Sequence, residues 1–314
     1  MATEYLKMTT RSELLRNEVD RFARMIQGVE RGEVRALHGT RVASRRLREL
    51  LPVLQLDRDV TRKLVRRLRR VTSRLGTVRE LDVLLLLIDE LHVSRRDHAQ
   101  ALSRVAVAVA KERDDARDRL GMRVPMADLR RLAKKLGRCV VELEKIERAR
   151  TARATTRSWR WAVDARVATR AARLEAAIHS AGAVYLPERL HDVRIDVKKL
   201  RYALELRAQV VGDKKDADVK VLRRVQDALG RMHDLQVLID RTRQVQASLA
   251  PPSVEVWRAL DALVLALDAD CRQLHARYMR RRDELLAITE RLATRLGPAA
   301  PGSAESRPRS RAAG

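Results

Sequence analysis

The sequence has few cysteines, glycines, prolines and aromatic residues. Its two cysteines, Cys139 and Cys271, lie far apart in helical patterns, which argues against a disulfide framework and predicts two buried free thiols. The 12 glycines and 8 prolines leave long stretches without turn signals, and alternating strand patterns are missing. Aromatic residues make up only 3% of the chain, which disfavours binding of single-stranded nucleic acid through stacked bases.

Long apolar segments and the common catalytic and metal-binding motifs are also missing. The longest apolar run, LDVLLLLIDEL, is too short to span a bilayer, and the N-terminus has no apolar signal-peptide core. We therefore expect a cytoplasmic protein without membrane insertion. There is no P-loop, nucleophile elbow, HExxH or CxxC motif, and His92 and His98 have a spacing that suits no common helical metal pair. These absences predict no catalytic residues, no metal and no cofactor.

Positive charge is present in large excess. The chain contains 67 lysines and arginines against 42 aspartates and glutamates, a formal net charge of +25. Folding does not require such an imbalance, which causes self-repulsion in the compact state. The excess indicates an anionic partner, for which nucleic acid, an anionic membrane and a phosphate polymer are the candidates.

Apolar residues recur at intervals of three and four almost throughout the chain, which predicts an all-α fold. We expect a break near Val93–Ser94 in the fourth helix, and a disordered tail over residues 298–314, where the apolar periodicity is absent. The expected helices cover residues 9–30, 33–55, 58–75, 78–119, 126–149, 152–181, 187–211, 215–229, 231–249 and 253–296. Trp159, Trp161 and Tyr202 are interpreted as helix-packing residues.

An internal repeat relates the two parts of the chain. An offset of 153 residues superimposes HGTRVASRRLRELL, which begins at His38, on HDVRIDVKKLRYAL, which begins at His191. An offset of 154 superimposes LGTVRELDVLL on LGRMHDLQVLI. The repeat predicts one domain over residues 1–297, built from two similar helical-bundle halves, 1–150 and 151–297, that are related by a pseudo-two-fold axis.

Each copy of the repeat carries positively charged side chains along one helix face. The first stripe comprises His38, Arg41, Arg45 and Arg48, and the second comprises His191, Arg194, Lys198 and Arg201. The following helices add Arg62, Arg66 and either Arg69 or Arg70 in the first copy, and Lys220 with Arg223 or Arg224 in the second. Residues 38–79 contain 13 lysines and arginines against three acidic residues. A solvated helix face is the simpler interpretation, but such faces mix charges of both signs, and this one occurs twice in register.

These motifs resemble those of the conserved histidine α-helical domain (CHAD) family, over roughly residues 5–296. The shared pattern is a histidine, an arginine three residues on, a basic pair followed by LR, and then a basic helix that ends in LG before an acidic VL segment. The pattern adds four residues to the candidate binding residues. Arg46 and Lys199 are the second members of the two basic pairs, and Arg79 and His233 are counterparts in the two copies. The counterpart of Asp82 in the second half is Gln236, a further departure from the first half.

The resemblance implies two bundle-like halves with a basic cavity between them, which binds inorganic polyphosphate without catalysis, often at polyphosphate granules. It places the stripe residues and the α-helical cations that follow them on that surface. Nucleic acid remains the alternative partner for the same surface, and nothing in the sequence specifies an oligomeric state. His38 and His191 have a structural alternative as helix caps. If they bind, neighbouring cations should lower their pKa, and a bound polyanion should raise it.

Overall fold

The computed structural model describes residues 10–123, 126–149, 152–212, 217–250 and 253–297 as an all-helical protein. The helices are α1 (Arg11–Glu30), α2 (Val34–Leu50), α3 (Arg58–Arg74), α4 (Gly76–Ser94), α5 (Ala99–Arg123), α6 (Met126–Ala149), α7 (Ala152–Ala181), α8 (Pro187–Val211), α9 (Ala217–Ala247), α10 (Val254–Met279) and α11 (Arg282–Leu296). Short 3₁₀ turns follow α2 and precede α5. No strand occurs in the described ranges, so the all-α expectation is confirmed. The expected disordered tail lies outside these ranges.

Local sequence explains several helix ends. The Thr10 side chain accepts a hydrogen bond from the Glu13 backbone while the Glu13 side chain accepts one from the Thr10 backbone, a capping box that starts α1. Pro187 occupies the first turn of α8, where its missing N–H is not needed. Gly212 ends α8 with φ of 82°, a left-handed conformation that favours glycine. The expected break near Val93–Ser94 is confirmed, since α4 ends at Ser94.

Two helix boundaries differ from the sequence expectation. The break expected at residue 230 is absent because α9 runs through Gly230. A glycine in a helix interior costs only about 1 kcal/mol, and buried Leu229 and Met232 on either side anchor the helix. Conversely, the single helix expected over residues 253–296 is divided at Arg280–Arg281. No glycine or proline marks this break, which lets α11 pack against α7 while α10 packs against α9.

Two hydrophobic cores hold the helices together. One core joins α1, α2, α3 and α6 with Val78 at the start of α4, and the other joins the rest of α4 with α5, α9, α10 and α11. Helices α7 and α8 contribute to both: Val163 and Leu206 lie in the first core, whereas Leu174 and Leu200 lie in the second. Helices α7 and α8 pack against each other in antiparallel directions, and together they connect the two cores. The division into two symmetric halves remains a prediction.

A buried ion-pair network fixes α2 against α7. Glu49 is 7% exposed and accepts hydrogen bonds from Arg170 Nη2 at 2.7 Å and from Arg166 Nη2 at 2.9 Å. Arg170, itself 7% exposed, makes a two-oxygen contact with the Glu49 carboxylate. Burial of the Arg170 and Glu49 charges, with the partly exposed Arg166 beside them, is tolerated because each charge is paired by short hydrogen bonds.

The remaining expectations about buried side chains are mostly correct. Cys139 and Cys271 are free and buried, as expected. Trp159 and Tyr202 are buried in helix packing, but Trp161 is 67% exposed, so its interpretation as a packing residue is wrong. Trp161 is two residues from Trp159 and points to a different side of α7, because successive helical residues are rotated by about 100°. None of the described helices combines the length and the apolarity that a bilayer span requires.

Candidate anion-binding site

The two basic stripes of the repeat face each other. Helices α2 and α8 are in contact, α4 packs against α2, and α9 packs against both α4 and α8. We call the resulting group of basic side chains the α2–α8 cluster. It consists of His38, Arg41, Arg45 and Arg48 from α2, Arg79 from α4, His191, Arg194, Lys198 and Arg201 from α8, and His233 from α9. The site is thus formed by both copies of the repeat.

Lys198 experiences the strongest effect of this crowding. Burial, together with the positive charges of Arg194 and Arg45, lowers its pKa from 10.5 to about 7. Burial likewise lowers the pKa of Arg41 to about 10, with a contribution from Arg45 across the helix turn. A cation whose pKa falls in this way is held in an environment that disfavours its charge. The cluster therefore contains positive charge that the protein itself does not fully neutralise.

Besides Glu205, which pairs with Arg201, two carboxylates lie among the side chains of the cluster, Glu80 of α4 and Asp234 of α9. The nearby His233 lowers the pKa of Glu80, and His233 Nε2 lies 3.7 Å from Glu80 Oε1. Burial raises the pKa of Asp234, and the charge of Arg194 opposes that effect. These two anions neutralise only part of the cluster. They and the nearby histidines form no metal-binding group of three or more ligands in the part of the chain that the structure describes.

The histidines occupy different depths. His38 is exposed at the rim, whereas His191 is half-buried and its ring centroid lies 4.9 Å from that of His233. Partial desolvation lowers the pKa of His38, and Arg79 and Arg41 add to the effect. Burial also lowers the pKa of His191, followed by His233 and Arg194. The direction agrees with the sequence expectation, but desolvation rather than neighbouring charge is the largest cause.

Because Gly76 has no side chain, it leaves the space that the guanidinium of Arg41 occupies. Arg41 Nη1 donates a hydrogen bond to the Thr72 carbonyl oxygen at 3.4 Å, at the end of α3. A Cβ added at Gly76 would lie 2.8 Å from this nitrogen. The equivalent Gly230 of the second copy has no atom within 4 Å of such a Cβ. The LG motif therefore has a steric role in the first copy that it does not have in the second.

Comparison with known proteins identifies the family. A model of the CHAD domain matches residues 13–243. The chain belongs to the CHAD domain family. Its fold is similar to that of PptA from Streptomyces chartreusis, with a TM-score of 0.61 and 19% identity over 86% of this chain and 96% of that one. It is also similar to the crystal structure of the CHAD domain from the plant Ricinus communis, with a TM-score of 0.54 and 24% identity over 84% and 90% of the two chains. A search of curated proteins gave no match.

Two basic-pair residues of this CHAD domain, Arg46 and Lys199, directly follow Arg45 and Lys198 and form ion pairs, and the Arg46 partner Glu205 also pairs with Arg201 of the cluster. Arg46 forms ion pairs with Glu18 at 3.4 Å and with Glu205 at 3.7 Å. Lys199 pairs with Asp196 at 2.6 Å, beside α7. The rotation of about 100° between successive helical residues turns each second member of a pair away from its neighbour. The part of Arg46 and Lys199 in a polyphosphate site stays a prediction.

The cations of α3 and α9 are distributed over several surfaces of the CHAD domain. The charge of Arg69 lowers the pKa of Arg48 after burial, which places Arg69 at the edge of the cluster. Arg70 instead lines a groove between α3 and α6. Arg62 pairs with Asp59 at 2.5 Å, and Arg223 pairs with Glu205 at 3.4 Å. Three further candidates lie exposed on the same helices: Arg66, Lys220 and Arg224.

The second half of the CHAD domain anchors its helices differently where its sequence departs from the first. Asp82 is buried and accepts a hydrogen bond from Arg117 Nη2 at 3.0 Å. Its counterpart Gln236 accepts one from the Tyr185 hydroxyl at 3.2 Å. Sequence reasoning missed the two carboxylates inside the cluster, Glu80 and Asp234, although the repeat superimposes them. Their shared register was the signal that could have identified them.

Proposed function

We propose that this CHAD domain binds inorganic polyphosphate through the α2–α8 cluster and catalyses no reaction on it. The observation that carries the proposal is the direct opposition of two like-charged helix faces, with the pKa of Lys198 lowered to about 7 between them. A phosphate polymer supplies many closely spaced negative charges, which would relieve this repulsion. Arginine forks bind phosphate oxygens in pairs, and a lysine adds a mobile point charge.

Nucleic acid is the competing ligand because it offers a similar phosphate backbone. The composition of the cluster favours polyphosphate, since its members are arginines, lysine and histidines without a phenylalanine, tryptophan or tyrosine that could stack on a base. Tyr202 lies next to the cluster, but its ring is buried and carries the Arg201 guanidinium 4.5 Å from its centroid. Polyphosphate has no bases and needs no stacking surface.

A competition experiment tests the proposal. Labelled polyphosphate is bound to the protein and then challenged with excess unlabelled polyphosphate, duplex DNA, RNA or ATP. We expect unlabelled polyphosphate to displace the label at the lowest phosphate concentration, and log K to fall linearly with log salt because each contact releases counterions. Equal displacement by DNA or RNA would favour the nucleic-acid alternative. Release of orthophosphate during the incubation would contradict the absence of catalysis.

Replacing Gly76 with alanine should weaken polyphosphate binding about fivefold, or about 1 kcal/mol. The added Cβ would lie 2.8 Å from Arg41 Nη1, and the flexible guanidinium would have to leave the Thr72 carbonyl. Gly230→Ala is the matched control because its Cβ meets no atom within 4 Å. That variant should bind polyphosphate as the wild type does, and its free energy of unfolding should be about 1 kcal/mol higher than that of the wild type. Equal affinities for both variants would contradict the role assigned to Gly76.

Binding should take up protons, and affinity should fall as the pH rises above about 7. The pKa of Lys198 is about 7 in the empty site, and a bound polyanion raises it, so the complex is more protonated than the free protein in this range. Lys198→Arg keeps a permanent charge and should flatten the profile above neutral pH. His38→Gln with His191→Gln should flatten it at lower pH. Calorimetry in two buffers of different ionisation enthalpy measures the uptake, and a wild-type profile in Lys198→Arg would contradict this assignment.

A further inference from the structure

A second basic groove lies between α3 and α6. Its α3 wall carries three arginines at the helical spacing i, i+3 and i+7, and its α6 wall carries two further cations on one face. These residues are Arg67, Arg70, Arg74, Arg131 and Lys135. Because they come from two helices, their positions are fixed by helix packing.

The groove has little negative charge of its own. Among the residues that the structure describes, Asp128 is its single acidic lining residue, and it accepts a hydrogen bond from Arg131 Nη2 at 2.7 Å. Within the described ranges, no carboxylate oxygen lies within the 4.0 Å ion-pair distance of Arg67, Arg70 or Lys135. The other lining side chains, Val71, Leu129 and Leu132, are buried and apolar. The groove therefore has an apolar floor with several cations at its edges, and its carboxylate, Asp128, is paired with Arg131.

The groove and the α2–α8 cluster lie on different sides of α3. The Thr72 carbonyl receives Arg41 of the cluster, and the charge of Arg69 acts on Arg48. At about 100° per residue, the groove arginines of α3 are rotated by about 100° to 160° from Arg69 around the helix axis. A phosphate chain lying along the groove would thus be separated from one in the cluster by the body of α3.

We propose that the α3–α6 groove is a second binding site for phosphate polymer, so that one protein molecule holds two polymer segments at once. The inference rests on the proposed function, because the same ligand chemistry is assigned to both sites. The cations of the groove, among which Arg67, Arg70 and Lys135 have no carboxylate at ion-pair distance among the described residues, match a segment of several phosphates, because arginine and lysine both bind phosphate oxygens. A protein with two such sites on different sides links separate polymer chains when these are long enough.

The experiment compares two double variants with equal charge change. Arg70→Glu with Lys135→Glu alters the groove. Arg104→Glu with Arg258→Glu alters exposed cations on α5 and α10, helices that line neither site. Light scattering is recorded while long-chain polyphosphate is titrated into each protein, and binding of a short chain is measured by calorimetry. Circular dichroism and thermal unfolding establish that each variant is folded.

We expect wild-type protein and the α5/α10 variant to show a scattering maximum at an intermediate polymer ratio, which falls again with excess polymer. The groove variant should lose this maximum while it still binds the short chain at the cluster. Short-chain binding without a scattering maximum in the wild type would overturn the second site and leave the proposed function intact. A maximum that persists in the groove variant would also overturn it. Absence of all polyphosphate binding by the wild type would overturn both.

Discussion

Replacing Arg45 and Lys198 together with glutamate is expected to weaken polyphosphate binding by at least about a hundredfold, or about 3 kcal/mol. The two side chains belong to opposite helices, and the charge of Arg45 lowers the pKa of Lys198, so both lie within one electrostatic environment. Their reversal removes two cations and adds two anions beside Glu80 and Asp234. A polyanion would then meet carboxylates where it now meets its principal contacts. Direct titration at constant salt measures the change.

The matched control is Arg104→Glu with Arg258→Glu, which changes the net charge equally at exposed positions of α5 and α10. That variant should lose affinity only through the long-range field, an effect that added salt suppresses. Similar losses in both variants at physiological salt would show that net charge alone binds the polymer, and would contradict the assignment of the cluster. Unchanged helical circular dichroism is required of both proteins.

Replacing Glu49 with glutamine is expected to lower the free energy of unfolding by about 3–5 kcal/mol. The carboxylate is the partner of Arg166 and Arg170 at 2.9 Å and 2.7 Å. The amide keeps the size of the side chain but leaves the buried Arg170 guanidinium without a counter-charge. Chemical denaturation followed by circular dichroism measures the loss.

Glu30→Gln is the control for this substitution. Glu30 also joins two helices through an arginine, Arg130, at 2.7 Å, but both side chains are exposed. Such surface pairs contribute about 0.2–1 kcal/mol, so the control should lie near the wild type. Losses of equal size in the two variants would mean that burial of the Glu49 network adds nothing to its contribution.

The sequence predicted the helices and the basic stripes well because both follow from the period of the α-helix. The expectation for His38, Arg41, Arg45 and Arg48 as one face required only that α2 be helical, and α2 includes all four. Opposition of this face to the α8 stripe is a tertiary contact, which no spacing within either segment specifies. The resemblance to a known family supplied that expectation.

Other features depended on neighbours that a single segment does not reveal. Gly230 carried the same signal as Gly76, and both glycines stand between buried apolar residues, yet α9 is continuous whereas the α3–α4 boundary admits Arg41. Arg46 matched the family pattern but is paired with Glu18 and Glu205 from α1 and α8. The break at Arg280–Arg281 follows from the packing of α11 on α7, and no residue in the sequence marks it.

The sharing of α7 and α8 between the two hydrophobic cores has a consequence for folding. Val163 and Leu206 belong to one core, and Leu174 and Leu200 belong to the other. Loss of either core would strip apolar contacts from one end of both helices, and the hydrogen-bonded ladder of each helix would transmit that loss toward the other core. A repeated sequence often produces units that melt separately. Here the helix pair α7 and α8 is shared by both cores, so we expect the cores to unfold together in a single cooperative transition.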